Sequence, residues 1–354
     1  QECRKGRVPL LADDASTMGS GALFSCGASP ILEGRRTGRL ILRVLAGESP
    51  ASIPFAPSED AETTVDLAAA AALGITLPTD LMKEAVRFFN PTGRLGRPFR
   101  IGLVHLVQNP LLDLADDGFC RGLSDAGFRI PEDVTVKRYS AQGEIAQLPA
   151  VVDAALAEQP DAIVTITTPA LMAACPRVKT VPLIFAVASD PAVLGLFDAD
   201  SRPANLVGVH DDPPVDRLLA MAARHVPGLA VVGTVYDPAQ PNSMISVNKL
   251  RTLCRTSGIR LEEGAAASVT EMAEAARAVL ERGAQALLLS ADNLVSTAFP
   301  AIRKAADAAG RPVYVTSIEL VRQGAAGAVG DNYEAWGAQA GLVAARVLAG
   351  VPPG

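Results

Sequence analysis

The chain has 354 residues, 49% of them apolar and only 4% aromatic, and carries a formal net charge of −6. That length exceeds what one hydrophobic core usually organises, so two lobes are expected, and an acidic chain without a lysine or arginine block excludes nucleic acid as the main partner. No apolar run approaches the roughly 18–20 residues of a membrane span, and five cysteines without a CxxC pair argue against a disulfide framework or a zinc site, which leaves buried free thiols as the expectation.

The first residues, "QECRKGRVPLLADD", have neither an initiator Met nor the apolar stretch of a secretory signal, so the chain reads as starting after a removed segment or inside a longer gene product. Residues 8–50 match residues 311–353 without a gap at a fixed offset of 303 residues. Identical pairs include Pro9/Pro312, Gly21/Gly324, Gly27/Gly330, Gly34/Gly337, Gly38/Gly341 and the run Arg43–Gly47/Arg346–Gly350. "RVPLLADD", "GALFSCG" and "PILEGRRTGRLILRVLAG" therefore read as a strand, a crossing and a closing helix that recur at the other end. The two sets compete for one place in a fold, so at most one fills it. "ASIPFAPSEDAETTVDLAAAAALGITLPTDLMKEA" (51–85) has no such rival and is expected to dock on the main body, with "NPTGRLGRP" (90–98) as linker.

From Phe99 the pattern is regular. "FRIGLVHLV", "DVTVKRYS", "DAIVTITT" and "VPLIFAV" read as strands, separated by the helical stretches "LLDLADDGFCRGLSDAGF", "GEIAQLPAVVDAALAEQ" and "PALMAAC". "ANLVGVHDDPP" (204–214) breaks the rhythm as a crossing between lobes, and a second series follows: "LAVVGTVYD", "IRLEEGAA", "AQALLLSAD" and "PVYVTS" as strands with helices between them. "GAVGDNYEAWGAQAGLVAARVLAG" (327–350) supplies a last strand, a second crossing and a closing helix. The fold class implied is α/β, two Rossmann-like lobes with parallel sheets and a central cleft. The organisation expected is residues 1–97 as a partial repeat of the end of a preceding copy with its tail, 98–208 as the first lobe to which the helix 333–350 returns, and 209–330 as the second.

Four times a predicted strand ends in a capping-type residue before proline: Asn109-Pro110, Thr168-Pro169, Asp190-Pro191 and Asp237-Pro238. Each is expected to start a helix at a strand's carboxy end, the edge where open parallel sheets bind ligands and where free amides and the helix dipole suit a small anion. "SADNLVS" makes a similar ending with Asp292 or Asn293 as cap. The usual catalytic motifs, GxxxxGK[ST], GxGxxG after the first strand, HExxH and GxSxG, are absent, so no catalytic residue, metal or cofactor is assigned. His210 with Asp211 and Asp212 reads as a solvated crossing loop, His105 as a packed, hydrogen-bonded residue, and His225 as a helix end. Asp113, Asp116 and Asp117 complement a helix dipole. Tyr333 and Trp336 flank the second crossing, as core or as cleft wall.

In their order, "VQNPLLDLADDGFCRGLSDAGF", "ITTPALMAA", "VASDPAVLGL", "LVGVHDDPPV", "VYDPAQPNS", "SADNLVSTA" and "GAVGDNYEAWGAQAG" resemble the solute-binding proteins of ABC importers in the group that includes the tryptophan-binding lipoproteins, with the type I periplasmic-binding fold. In that family the closing helix is followed by a phrase like residues 47–78. The resemblance implies a non-catalytic, periplasmic or extracellular protein that closes two lobes on a small polar or amino-acid-like ligand and presents it to a membrane permease. Carried over by position, the ligand-binding candidates are Asn109, Leu111, Thr168, Pro169, Asp190, Asn242, Ser243, Asp292, Asn293, Ser317, Asp331 and Tyr333. The sequence departs from the family at "VQNPLLD", "TSIEL" and "DNYEAWG", so tryptophan is not implied as the ligand. The alternative is the ligand-sensing part of a signalling protein.

Overall fold

A computed structural model describes residues 8–55, 61–197 and 201–353. These form two compact units: one of the described residues up to Phe99 with Leu123–Thr135 and Ala344–Pro352, the other of Arg100–Gly122, Val136–Val343 and Pro353.

The larger unit holds two parallel sheets. The first has the order β6-β5-β7-β8-β9, from β5 (Phe99–His105), β6 (Val134–Ser140), β7 (Ala162–Ile166), β8 (Leu183–Ser189) and β9 (Leu206–Asp211). Every residue of β7 and β8 is buried, as expected of central strands covered on both faces. Helices α4 (Pro110–Asp125), α5 (Leu148–Ala157) and α6 (Thr168–Ala174) connect the first four strands. Leu148 and Val152 of α5 and Leu171 of α6 pack with Val104, Ile163, Leu183 and Phe185 into one apolar core, each large side chain contributing about 1.5–3 kcal/mol by burial.

The second sheet has the order β11-β10-β12-β13-β14, from β10 (Val231–Tyr236), β11 (Arg260–Ala265), β12 (Ala286–Leu289), β13 (Val313–Ser317) and β14 (Gly327–Asp331). Helices α7 (Val215–His225), α8 (Pro241–Thr256), α9 (Val269–Glu281) and α10 (Asn293–Ala308) flank it. Leu218, Val232, Leu250, Leu288 and Tyr314 form its core. The closing helix α11 (Tyr333–Leu348) crosses α4 so tightly that a Cβ at Gly337 would overlap the Ala115 carbonyl oxygen, and Cβ atoms at Gly118 and Gly122 would overlap those of Glu334 and Ala338. In both sheets the strand order reverses at the first strand of the lobe, between β5 and β7 and between β10 and β12. Helices leave these neighbours toward opposite faces, and a crevice opens at their carboxy ends.

In the smaller unit, β1 (Leu11–Ala12) and β2 (Phe24–Ala28) pair in parallel, β2 pairs antiparallel with β3 (Ala61–Asp66), and β3 pairs in parallel with β4 (Ala85–Phe89). Helices α1 (Pro30–Leu45), α2 (Leu67–Leu73) and α3 (Thr79–Glu84) complete it. Asp66 caps α2 by accepting from the Ala69 amide at 2.9 Å, and its other oxygen accepts from Asn90 Nδ2 at 3.1 Å. The Phe88 amide donates to the Ala126 carbonyl at 2.8 Å, and Arg346 Nε donates to the Ala85 carbonyl at 3.1 Å. Gly127, at φ 95°, sits where a Cβ would overlap the Phe88 carbonyl oxygen. Of the two competing repeats, residues 313–331 supply β13 and β14 of the second lobe, while their counterparts β1 and β2 lie in a separate sheet.

Several expectations are corrected. Asn109-Pro110 and Thr168-Pro169 both open helices, but only Asn109 is the cap as read: its Oδ1 accepts from the Leu111 and Leu112 amides, both at 3.0 Å. Thr168 lies inside α6, whose cap is Thr167, and Asp190 and Asp237 head turns in which Oδ1 accepts from the amide two residues on. A proline after an Asp fits the second position of a turn as well as the first of a helix, so the dipeptide alone does not separate them. His105 is buried, but neither ring nitrogen has a hydrogen-bond partner: its Nε2 lies 3.9 Å from Asp116 Oδ2, beyond hydrogen-bond distance, and that oxygen accepts from Arg138 Nε at 2.5 Å. Cys175 and Cys254 are buried as expected, whereas Cys26 is exposed and Cys120 half-exposed; Cys3 lies outside the described residues. His210 and Asp211 lie within β9, paired with Ala188 and Ser189 of β8, rather than in a crossing loop, with His210 exposed, and His225 ends α7 with its ring 5.9 Å from that of Tyr314. Among the described residues no helix is long and apolar enough to cross a membrane.

Candidate functional site

The carboxy edge of the second sheet is organised around one buried carboxylate. Asp292 follows β12 and is 4% exposed. Its Oδ1 accepts from the amides of Leu294 (2.7 Å) and Val295 (2.9 Å), which caps α10, and from Gln240 Nε2 at 3.4 Å. Its Oδ2 accepts from the Asp237 amide at 2.8 Å and from Ser243 Oγ at 2.5 Å. Burial pushes the Asp292 carboxyl upward, and the hydrogen bonds donated by Asp237, Ser243 and Val295 oppose that shift. These five donors occupy the lone pairs of both oxygens, so Asp292 is a positioning residue that locks the turn after β10 to the start of α10. Gln240 extends the lock: it donates to Asp237 Oδ2 at 2.9 Å, and its Oε1 accepts from Asn293 Nδ2 at 2.6 Å. Asn242 Nδ2 donates to the Ala291 carbonyl at 2.8 Å.

The corresponding edge of the first sheet is less paired. Thr167, after β7, is held at φ 95°, and Val187 of β8 at φ 51°, left-handed values that cost a β-branched residue on the order of 1–3 kcal/mol. The Ser189 amide donates to Thr168 Oγ1 at 3.0 Å, while Asn109 Nδ2 and Thr167 Oγ1 are buried with no hydrogen-bond partner. Buried atoms without partners recur at the second sheet's edge, at Ser290 Oγ, Asn242 Oδ1 and Glu319 Oε2.

Between the two edges lies a cavity of about 290 Å³. The first lobe contributes Leu106 and Val107 after β5 and Gln142–Ile145 after β6; the second contributes Asp237 and Gln240 after β10, Ala267–Val269 after β11, and Asn293, Leu294 and Thr297 after β12. Its described lining thus carries two carboxylates, Glu144 and Asp237, and no basic side chain, and it includes the starts of α9 and α10.

Of the residues expected from sequence, Asn293 lines this cavity, and Asn242, Ser243 and Asp292 form the network behind it. Asn109, Leu111, Thr168 and Pro169 are buried at the ends of β5 and β7, and Asp190 heads the turn after β8, but none of these lines the cavity. Ser317 ends β13 and is buried. Tyr333, also buried, donates from its amide to Glu319 Oε1 at 3.1 Å and lies 5.6 Å from the Trp336 ring. Asp331 ends β14, and its side chain lies outside the described residues. Gln240, Gln142, Glu144, Ser268 and Thr297 were not anticipated. Gln240 carries a signal, since it precedes Pro241 at the true start of α8, three residues beyond the dipeptide that drew attention.

The sequence matches the family described as "ABC transporter substrate binding protein" over residues 1–88 and 100–354. The chain belongs to that family. Two crevices facing one another across a cavity are the arrangement such a substrate-binding protein needs, and this family's role is binding rather than catalysis. A tyrosine-binding protein of Clostridioides difficile (strain R20291) is 27% identical over 251 residues, 71% of this chain and 72% of that protein. Among solved structures, a conserved domain protein from Vibrio cholerae O1 biovar El Tor is 26% identical with a TM-score of 0.69, covering 73% of this chain and 87% of that one. An ABC domain from Streptococcus pneumoniae, solved in complex with L-Trp, is 24% identical with a TM-score of 0.67 over 72% of this chain and 86% of that one, and supports the two-lobed fold of this substrate-binding protein.

Proposed function

We propose that this substrate-binding protein works outside the cytoplasm, holds an α-amino acid or a close analogue between its lobes, residues 98–208 and 209–330, and hands it to a membrane permease. The observation that carries this reading is the charge pattern of the cavity. Glu144 and Asp237 favour an ammonium group, no basic side chain competes with it, and the starts of α9 and α10 offer the positive ends of two helix dipoles to a carboxylate. Leu106, Val107, Ile145, Val269 and Leu294 give the side chain of the solute an apolar wall. The volume suits a molecule of amino-acid size, and the 27% identity to a tyrosine-binding protein agrees with that class. Asn293 and Gln240 touch the solute, Asn242, Ser243 and Asp292 hold them in place, and Asn109, Leu111, Thr168, Pro169, Asp190, Ser317, Asp331 and Tyr333 come into reach as the lobes close.

Thermal denaturation with a panel of α-amino acids tests the proposal. One member raises the melting temperature in proportion to the logarithm of its concentration, by the linkage that supplies about 2.7 kcal/mol at one hundred times Kd. Its N-acetyl derivative, which lacks the ammonium group, binds at least tenfold more weakly, and Gln240→Ala weakens the parent amino acid about tenfold. Failure of every amino acid to shift the transition at millimolar concentration, or equal binding of the acetylated form, overturns it.

A further inference from the structure

The front repeat has folded like the back repeat but lacks what the back repeat packs against. β1 and β2 pair Leu11 with Phe24 and Ala12 with Ser25; β13 and β14 pair Tyr314 with Gly327 and Val315 with Ala328, the same register 303 residues on. A Cβ at Gly27 would overlap the Asp13 carbonyl oxygen, and one at Gly330 would overlap that of Thr316, again at corresponding positions. The helices then part company. In α11, Ala344 and Ala345 are fully buried and Gly337 presses on the Ala115 backbone of α4. In α1 the counterparts Ile41 and Leu42 are 54% and 66% exposed, Leu45 is 77% exposed, and a Cβ at Gly34 or Gly38 would meet nothing. A 16-residue helix with Leu40, Ile41, Leu42, Val44 and Leu45 all in solvent is a face made for burial.

We propose that α1 is the closing helix of another body of this same fold, preceding it in the same polypeptide, and that it docks on that body's first-lobe helix as α11 docks on α4. The back repeat is what identifies the occupant: it shows the same strand pair and helix finding their partner through glycines at Gly337, Gly118 and Gly122. A second copy of this chain fits less well, because its α4 is already covered by its own α11. A preceding body whose last strands and closing helix are residues 8–47 has that position open.

The test compares residues 1–354 with the longer natural polypeptide. In Leu42→Cys, peptide-mapped maleimide labelling at residue 42 is expected to slow at least tenfold in the longer polypeptide. Separately, Gly34→Leu is expected to lower the melting temperature of the longer polypeptide by several degrees and leave that of residues 1–354 unchanged or raised. Equal labelling in both proteins, or a reading frame that encodes no such body before Gln1, overturns the proposal. So does protection within residues 1–354 that grows with protein concentration alongside a dimer in sedimentation, which assigns the face to a second copy.

Discussion

The two lobes of the main unit share a strand order and a crevice, yet their ligand-facing edges are built in opposite ways. In the second lobe one buried carboxylate gathers five donors and fixes the turn after β10 to the start of α10. In the first lobe the comparable positions carry left-handed, non-glycine backbone at Gln142, Thr167 and Val187 and buried polar atoms without partners at Asn109 and Thr167. Among the described residues, no non-glycine residue of the second lobe has a positive φ. One wall is therefore locked around a single carboxylate before a solute arrives, and the other holds backbone strain, while buried polar atoms without partners occur at both edges. A cleft that closes needs both: a fixed surface that sets geometry and a second surface with something to gain by closing.

The largest expected effect comes from dismantling the rigid wall. Asp292→Ala removes the cap of α10 and strands the Asp237 amide and the Ser243 hydroxyl, and with a cap at about 1 kcal/mol and each orphaned buried donor at about 1–3 kcal/mol the loss is about 4 kcal/mol. Asp292→Asn, which keeps an acceptor oxygen for the cap but turns an amide donor on its neighbours, loses about half of that. Urea denaturation of the three proteins checks the order, and an Asp292→Ala protein as stable as the parent would mean that the second edge is no more fixed than the first.

A somewhat smaller effect distinguishes the lobes by pH. His105 at the end of β5 has its pKa lowered from 6.5 to about 4, chiefly by burial, with Asp116 opposing and Arg138 reinforcing the shift. Between those values the unfolded chain binds a proton that the folded chain refuses, so this contribution is fully present above pH 6.5 and is lost as the pH falls toward 4, amounting to about 3 kcal/mol. In His105→Leu that part of the acid dependence disappears, which denaturation midpoints between pH 4 and 7 measure against the parent. An unchanged slope would show that the first lobe's buried histidine titrates as it does in the unfolded chain.

The two lobes, their parallel sheets and their helices were legible in the sequence because apolar runs of strand length alternate with helical spacing from Phe99 onward. The capping role of Asp292 was legible for the same local reason, since "SADNLVS" places a capping residue between an apolar run and a helix. Its other partners were not, because Asp237, Gln240 and Ser243 meet it across more than 45 residues of chain and only the β10–β12 adjacency brings them together. The cavity wall at Gln142–Ile145 was invisible for a different reason. It is a turn after β6 whose importance lies in where the strand order reverses, which no residue type announces. The unlike fates of α1 and α11 were equally hidden, since two helices that share both glycines and the closing Arg-Val-Leu are packed in one place and exposed in the other.

The smallest expected effect concerns the strained wall itself. Thr167 carries a β-branched side chain at φ 95° and a buried hydroxyl with no partner, two costs that a glycine at the same position does not have. Glycine brings its own cost of about 0.5–1 kcal/mol in backbone entropy, so the balance for Thr167→Gly is a gain of about 1 kcal/mol in stability. The stabilised variant should bind its solute more weakly, because a first lobe relieved of strain gains less from closing. Stability from urea denaturation and affinity from titration calorimetry, measured on the same preparation, should move in opposite directions. If both fall together, Thr167 is an ordinary packed residue and the contrast between the two edges is one of hydrogen bonding alone.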